Sequence, residues 1–268
     1  TSVGGLAESL EQQLSAPVFM SERVAEYAEL AQATPIKFQS SDFPLRSSLR
    51  KLLSPLGLKA VIETEGLAIK PNHYELVQHD IGTDRWISVD DDFMRRCEQI
   101  LSQPIDMVAE DLLLSDFVEQ LGSQLNLQFK IDRRALSEIG LDYHEPVTLR
   151  LSDVPAYDVL YEAVRDFDCT LSVVGQVMHV TTIEAAEEQT LLRAYYLEGL
   201  SNAGDYQSLM TMIESSIVPD TWESRGGNST MAPYPDARPT LIISTTLDVH
   251  RQIERLLKVL RKNSFQLD

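Results

Sequence analysis

Residues 146–164, PVTLRLSDVPAYDVLYEAV, decide the fold because they repeat the pattern of residues 35–53, PIKFQSSDFPLRSSLRKLL. The offset is 146 − 35 = 111 residues, and it places one Ser-Asp-x-Pro turn on the other. It continues without a gap on both sides, so that Leu10 falls on Leu121 and further apolar positions coincide. Shared apolar and turn positions indicate a shared supersecondary unit, and the sequence therefore predicts two copies of one domain.

The second copy, residues 105–184, has the clearer pattern of secondary structure. Apolar residues recur at helical spacing after Ser115, a suitable N-cap, and alternate with period two in the flanking stretches. Asp153 is suited to cap a second helix and Pro155 to its first turn. The predicted order is βαββαββ, with two helices on one face of a small sheet. Its elements are a strand at 105–110, a helix at 114–125, strands at 127–131 and 146–151, a helix after Pro155, and a hairpin around Gly175-Gln176.

The first copy, residues 1–73, repeats this order from Leu6 onward. Asp42 and Pro44 take the turn and cap positions of Asp153 and Pro155. The leading strand would fall before residue 1, so we expect the chain to begin inside a longer natural protein and another segment to cover the sheet edge. The predicted elements are a helix at 6–14, strands at 17–20 and 36–39, a helix at 44–53 and a hairpin around Glu65-Gly66.

Residues 74–104 connect the copies, and residues 185–268 form a smaller third unit. The connection contains two strand-like stretches, YELVQ and RWISV, and an amphipathic segment at 92–101. The carboxylates of Asp90, Asp91 and Asp92 either cap that helix, which their position favours, or hold a divalent cation. The third unit is predicted as βαββα, with its second strand the least evident. Its other elements are a strand at 192–197, a helix at 206–217, a Gly- and Pro-rich loop at 218–238, a strand at 240–244 and a helix at 248–262.

The fold class is therefore α+β, with two repeated βαββαββ domains followed by a βαββα domain. Composition limits what such a chain binds. With 23 Lys and Arg against 41 Asp and Glu the net charge is −18, which opposes binding to nucleic acid. No run of about 18 apolar residues is present in the sequence, so we expect no direct membrane span.

The sequence offers little evidence of catalysis or of a cofactor. Cys97 and Cys169 permit at most one disulfide and are predicted to be buried, inert thiols. The five histidines lack metal-ligand spacing, and nucleophile and phosphate-loop motifs are absent from the sequence. We therefore expect no cofactor, no metal and no catalytic residue.

Two runs of sequence resemble known modules. IDMVAEDLLLSDFVEQLGSQLNLQFKIDRRAL, from Ile105, and VTLRLSDVPAYDVLYEAVRDFDCTLSVVGQVMHVTT, from Val147, resemble the short N-terminal domain of secretins and TonB-dependent receptors. IVPDTWESRGG and LIISTTLDVHRQIERLLKVLRK resemble the next module in secretin-like proteins of planctomycete bacteria. The resemblance covers about residues 105–262, and the first copy extends it toward the N-terminus.

The resemblance implies a protein of the periplasm or cell envelope, of the kind found in type II secretion, whose small domains dock partners or stack on neighbouring subunits. No secretin barrel follows in this sequence, so pore formation is not implied. We expect a non-enzymatic protein-interaction or assembly module with protein partners, self-association included. Strand addition at an exposed sheet edge is the expected binding mode.

The candidate partner-binding residues lie in the 218–238 loop and are Trp222, Arg225, Gly226, Gly227 and Tyr234. Trp222 either anchors the loop in the core or contacts a partner. Gly226-Gly227 with Arg225 either form a mobile loop or cradle an anion. Two alternative functions are an envelope sensor that binds a peptide or glycan at this loop, and a hydrolase whose site is assembled from distant residues.

Overall fold

The computed structural model describes residues 3–21, 24, 44–79, 81–200, 205–235 and 238–265 of the chain. Helices and small sheets are mixed throughout, so the chain has the predicted α+β class. Two compact units are distinguished. Unit 1 comprises residues 1–83, 198–201 and 261–268, and unit 2 comprises residues 84–197 and 202–260.

Unit 1 combines helices with a three-stranded sheet. Its elements are α1 (Val3–Leu14), β1 (Val18–Met20), α2 (Leu45–Leu53), β2 (Leu58–Glu63), β3 (Gly66–Pro71) and α3 (His73–Gln78). Strand β3 lies in the middle, parallel to β1 and antiparallel to β2. Leu10 of α1 and Leu53 of α2 pack with Ile69 of β3 in one core. The predicted strand at 36–39 and the predicted turn residue Asp42 lie outside the described residues.

The stretch YELVQ, predicted as a strand, belongs to helix α3, so that prediction was wrong. The backbone N–H of Leu76 donates to the carbonyl of Asn72, and that of His79 donates to Glu75, in the i to i−4 pattern of a helix. Leu76 and Val77 are buried on one side. Five residues are too few for apolar spacing to separate a helix from a strand.

Unit 2 holds the second repeat and the βαββα module. Its elements are β4 (Arg85–Trp86), α4 (Asp91–Leu101), β5 (Pro104–Leu113), α5 (Leu114–Leu125), β6 (Phe129–Ile131), α6 (Arg133–Glu138), β7 (Pro146–Pro155), α7 (Ala156–Val164), β8 (Cys169–Val174), β9 (Val177–Thr182), α8 (Ile183–Glu188), β10 (Leu191–Tyr196), α9 (Tyr206–Ser216), β11 (Thr230–Pro235) and β12 (Pro239–Thr245). Helix α10 (Leu247–Phe265) begins in this unit.

The two repeats share their element bounds at the offset of 111 residues. Adding 111 to the bounds of α1, β1, α2, β2 and β3 gives those of α5, β6, α7, β8 and β9. Strand register recurs as well, because Val18 lies opposite Leu67 in the first repeat and Phe129 lies opposite Met178 in the second. The turn and apolar pattern of the sequence thus corresponds to one arrangement built twice.

The strands of the second repeat form two sheets, where one was predicted. Strands β5 and β7 pair as a two-stranded ribbon, and β6, β9 and β8 form a three-stranded sheet. The prediction of one sheet was wrong because α7, which buries six of its nine residues, packs against strands of both sheets and against α4. A helix that is apolar on most sides has to be surrounded by other elements.

Asp153 lies in a β-bulge and caps no helix. It has a positive φ of 56°, at a register shift between β5 and β7. Asp106 on the facing strand accepts hydrogen bonds from Ser152 Oγ at 2.5 Å and from the Asp153 N–H at 3.0 Å. Helix α7 begins three residues later, with Pro155 at the N-cap position and no side-chain cap. Pro44 has the same role before α2.

The other predicted helix starts had different outcomes. Helix α5 begins at Leu114, one residue before the predicted cap Ser115, whose N–H donates to the Tyr143 carbonyl at 2.9 Å. The acidic start of α4 was predicted correctly, because Asp90 accepts a hydrogen bond from the Phe93 N–H at 2.7 Å. Within the described ranges, no group of three His, Cys, Asp or Glu is placed to hold a metal ion.

The βαββα module consists of β10, α9, β11, β12 and α10, in the predicted order. Its sheet has the strand order β11-β12-β10-β4. The RWISV strand is shorter than predicted, because only Arg85 and Trp86 pair with β10 and Ser88 Oγ accepts the next N–H, that of Leu192, at 2.8 Å. Trp86 of β4 and Leu191 of β10 belong to the core of the second repeat. In the parts of the chain described, no helix is long and apolar enough to cross a membrane.

Candidate protein-interaction site

Trp222 anchors the 218–229 loop in the protein interior, which was the first of its two predicted roles. Its side chain is 1% exposed, and its Nε1–H donates to the Ile217 carbonyl at 2.8 Å. Two 3-10 turns, at Pro219–Thr221 and Glu223–Arg225, flank it. A buried indole offers no surface to a partner, so any contact with a partner at this loop would be made by the residues next to Trp222.

Glycine is required at positions 226 and 227 for two different structural reasons. Gly226 has a φ of 92°, which side-chain-bearing residues rarely adopt. A Cβ on Gly227 would lie 2.1 Å from the Thr221 carbonyl oxygen, so only glycine fits there. The N–H of Gly227 donates to the Trp222 carbonyl at 3.0 Å. The pair therefore shapes a hydrogen-bonded loop.

The structure brings Arg225, Gly226 and Gly227 together with Trp222 and leaves Tyr234 apart. Arg225 is exposed at the loop that precedes β11. Tyr234, 57% exposed, lies at the far end of β11, roughly 14 Å along the strand from Thr230 at about 3.4 Å per residue. The segment 218–238, predicted as a loop, thus contains a six-residue edge strand that its prolines disguised.

The edge of β11 is poorly suited to strand addition. Pro233 and Pro235 have no N–H group, and a paired strand accepts proline only where that group would point away from its partner. The outer edge of β11 therefore lacks two of the donors that an added strand would use. At the opposite edge, β4 pairs over only two residues. The expected binding mode does not fit this sheet.

The face of this sheet that points away from α10 is free of charge on three of its four strands. On the fourth strand, β4, Arg85 lies in register with Ala194 and pairs with Asp91. Tyr195 of β10 bonds to His250 of α10, so the alternate residues of β10 point the other way. The outward residues in register on β10, β12 and β11 are Leu192, Ala194, Tyr196, Thr240, Ile242, Ser244, Thr230, Ala232 and Tyr234. They are buried or half-buried on β10 and β12 and exposed on β11. We call these nine residues the β11 face.

A cation lies at the rim of the β11 face. The Arg238 guanidinium lies 3.4 Å from the centroid of the Tyr196 ring, and Tyr196 shares a cross-strand row with Thr240 and Tyr234. An aromatic row with one stacked cation at its edge is typical of protein contact surfaces, in which Tyr and Arg are enriched.

A buried ion cluster on the opposite side of the sheet was not predicted. Arg193 is 5% exposed and pairs with Glu98 at 3.0 Å and Glu254 at 3.4 Å. Burial raises the pKa of Glu98, against the effect of Arg193. The two partners lie 95 and 61 residues away along the chain, so no local pattern could have indicated them. The cluster joins α4 and α10 to β10, which supports the β11 face from behind.

Cys97, Cys169 and His250 are buried and have structural roles. Cys97 and Cys169 are free, and burial raises the pKa of each thiol to about 11, so both stay protonated. Burial lowers the pKa of His250 to about 3. Its Nε2 lies 2.8 Å from the Leu191 carbonyl and so carries the proton, which leaves Nδ1 to accept from Tyr195 Oη at 2.8 Å. None of these groups faces a solvent-filled site.

Fold and site together define an α+β chain of small modules with a sheet face that carries no charge on three of its four strands. No protein-family model matches the sequence, and no curated protein does either. Among solved structures, the N-terminal domain of the secretin XcpQ from Pseudomonas aeruginosa is similar at 18% identity and a TM-score of 0.21, over 59% of this chain and 64% of that chain. The GspC-GspD complex of the type II secretion system of enterotoxigenic Escherichia coli is similar at 14% identity and a TM-score of 0.21, over 60% and 99%.

A third similar structure is the Salmonella SPI-1 injectisome base containing InvG, SpaPQR and PrgHK, at 13% identity and a TM-score of 0.25, over 59% and 94%. This chain spans slightly less than two thirds of the length of the XcpQ chains that it matches. Since every one of these TM-scores is below 0.5, the similarities assign neither a fold nor a function to this chain.

Proposed function

We propose that this chain is a non-enzymatic protein-interaction module of the bacterial cell envelope, and that the β11 face is its contact surface. The observation that carries the proposal is the absence of charge from all nine residues of that face. Charged residues make up 24% of the chain, so a face of this size without one is unusual for a solvated surface. Depletion of charge with retention of Tyr is the composition of an interface core.

The exposure of the β11 face also supports a contact surface. Thr230, Ala232 and Tyr234 of β11 are exposed, whereas Ile242 of β12 is half-buried. A partner that covered β11 would therefore remove both an aromatic ring and aliphatic surface from water. Because the prolines weaken the strand edge, the partner packs flat on the side chains.

The finer form of the proposal rests on the sequence resemblance. In this form we propose that the chain belongs to the periplasmic region of a secretin-like protein of planctomycete type, in a type II secretion context, where it docks protein partners or stacks on further copies of itself. The net charge of −18 favours partners with basic rims around an apolar centre and disfavours nucleic acid.

Point variants test the proposal better than removal of the whole segment, because residues 218–238 include the buried Trp222. Ala232→Arg places a charge in the centre of the β11 face at an exposed position, so the fold should tolerate it. Val259→Arg is the matched control, since Val259 is 56% exposed on α10, outside the face. Each purified variant is used to capture partners from the solubilised envelope of the source bacterium, and light scattering measures self-association.

We expect wild type and Val259→Arg to bind the same partner, whether another protein or a second copy. Ala232→Arg should weaken that binding by about tenfold or more, as interface-core charges do. Equal binding by all three forms would exclude the β11 face as the contact surface. Binding by none of them would remove the proposed function as a whole.

A further inference from the structure

Unit 1 contains an open groove between α2 and β2. The groove has a volume of about 710 Å³, and its apolar lining includes Leu45, Leu49, Ala60, Ile62 and Leu67. Ile62 is 86% exposed and Leu45 is 45% exposed. Isolated exposed apolar residues are common, but here several converge on one concave surface. We call this the α2–β2 groove.

The equivalent surface of the second repeat is covered by helix α4. The apolar stripe of α4, formed by Met94, Cys97 and Leu101, lies in one core with the helix α7 and the strand β8. Gln176, in the turn after β8, donates to Asp90 Oδ2 at 3.2 Å, beside the start of α4. Past the end of α4, the Gln103 carbonyl accepts the Ala156 N–H at 2.9 Å. Helix α4 therefore extends from the turn after β8 to the start of α7 and covers the side of the α7–β8 surface that these two segments form.

The exposed fractions of matched residues in the two repeats show how much surface α4 covers. Ile62 at 86% corresponds to Val173 at 5%, since 62 + 111 = 173. Leu45 at 45% corresponds to Ala156 at 0%. Ala60 and Leu67 are half-buried, whereas Leu171 and Met178 are 2% and 0% exposed. The same backbone arrangement thus forms a covered surface in one repeat and an uncovered one in the other, within the residues described.

The charges around the groove indicate the sign of its occupant. Arg46, Arg50 and Lys59 line it and are exposed, and among the described residues none of the three forms an ion pair. The one carboxylate in the lining, Glu75, accepts a hydrogen bond from Ser54 Oγ at 2.6 Å. In a chain of net charge −18, three free cations on one apolar groove complement an acidic partner.

We propose that the α2–β2 groove binds an acidic amphipathic helix of a partner protein, in the position that α4 takes on the second repeat. The expected helix carries apolar residues at positions i, i+3 and i+7, as α4 does at 94, 97 and 101, and carboxylates that reach the groove cations. This inference rests on the proposed function and names a second surface with its partner chemistry.

The test uses the full chain and a synthetic helix as the probe. The probe is the α4 sequence at 90–103 with Cys97→Ala, held helical by a lactam between positions 95 and 99, and its helicity is checked by circular dichroism. A second peptide replaces its three leading Asp residues with Lys. Binding is measured by fluorescence anisotropy, and a photo-crosslinker at peptide position 94 reports where the peptide binds.

We expect the acidic peptide to bind saturably and to crosslink to residues 45–62. Ile62→Asp should weaken binding by about tenfold, whereas Val174→Asp, an exposed valine on the matched strand β8, should leave it unchanged. Arg46→Glu combined with Arg50→Glu should reverse the preference between the acidic peptide and the Lys peptide.

Three results would overturn the inference: no binding by the helical acidic peptide, equal binding by Ile62→Asp, or crosslinks to residues 156–173. None of them bears on the β11 face, which Ala232→Arg tests separately. The failure of this inference and the failure of the proposed function are therefore distinguishable.

Discussion

The two repeats have the same elements in the same register and differ in what covers them. In the second repeat α4 packs along α7 and β8, and Val173 is 5% exposed. In the first repeat the matched surface is an open groove, and Ile62 is 86% exposed. The comparison shows that the repeat specifies its own core, whereas its outer surface depends on a segment outside it. One copy has that surface covered by α4, whereas in the other none of the described residues covers it.

The largest expected effect comes from placing a charge at the matched strand positions. Val173→Asp buries an unpaired carboxylate under α4 and should destabilise unit 2 by about 3 kcal/mol or more. Ile62→Asp places the same charge in solvent and should change stability by less than about 0.5 kcal/mol. Hydrogen exchange of the full chain, read by mass spectrometry, resolves the two regions. Similar losses at both positions would contradict the difference in coverage.

Where the repeats agree, matched substitutions should have matched costs. Leu49 is 4% exposed on α2 and Leu160 is 0% exposed on α7, at the same repeat position. Leu49→Ala and Leu160→Ala should each cost about 2–4 kcal/mol, since each leaves a cavity in a closed core. Urea unfolding followed by circular dichroism provides the measurement. A negligible cost for Leu49→Ala would mean that unit 1 lacks the core described for it.

Acid should destabilise unit 2 through His250. Its pKa is lowered to about 3 in the folded chain, from an ordinary value of 6.5. Between these values the unfolded chain binds the additional proton, so stability is retained above about pH 6.5 and falls as the pH drops toward 3. The loss reaches up to about 1.4 kcal/mol per pH unit.

Trp86 and Trp222 are the only two tryptophans and both lie in unit 2, so urea unfolding followed by tryptophan fluorescence reports this effect. His250→Gln should flatten the pH dependence between about pH 6.5 and 3, in addition to any constant loss of stability. An unchanged slope in that variant would show that His250 does not contribute.

The smallest effect concerns the start of the covering helix. Asp90→Ala removes the N-cap of α4 and the acceptor for Gln176 and should cost about 1 kcal/mol. Asp92→Ala, at an exposed position in the first turn, is the control and should cost a few tenths of that. Thermal unfolding of both variants compares them. Equal shifts would mean that the charge at the helix start matters and the cap bond does not.

The sequence predicted the parts of the fold that repeat. The SDFP and SDVP turns and the apolar spacing around them gave the offset of 111 and placed α5 within its observed bounds. Those features are local, because helix and hairpin periods are written over a few residues. Two predictions failed because pairing between distant segments decides the outcome, at the two sheets of the second repeat and at the bulge at Asp153. The strand predicted for YELVQ failed for a local reason, since five residues are too few to separate a helix from a strand.

The candidate site could likewise be predicted only in part, because it depends on contacts between distant segments. The sequence left two roles open for Trp222, an anchor in the core or a contact with a partner, and only the fold shows that its ring is buried. The β11 face depends on the pairing of Tyr196 with Thr240 and of Thr240 with Tyr234, which are distant along the chain. The α2–β2 groove becomes evident only when matched residues of the two repeats differ in exposure.

The most direct test of the central claim is hydrogen exchange of β2 and β8 in the same sample of the wild-type chain. Both are edge strands in equivalent sheets, so their own hydrogen bonds are alike. Since α4 covers one strand and none of the described residues covers the other, amides of Cys169–Val174 should exchange at least about tenfold more slowly than amides of Leu58–Glu63. Equal exchange of the two strands would contradict the difference between the repeats.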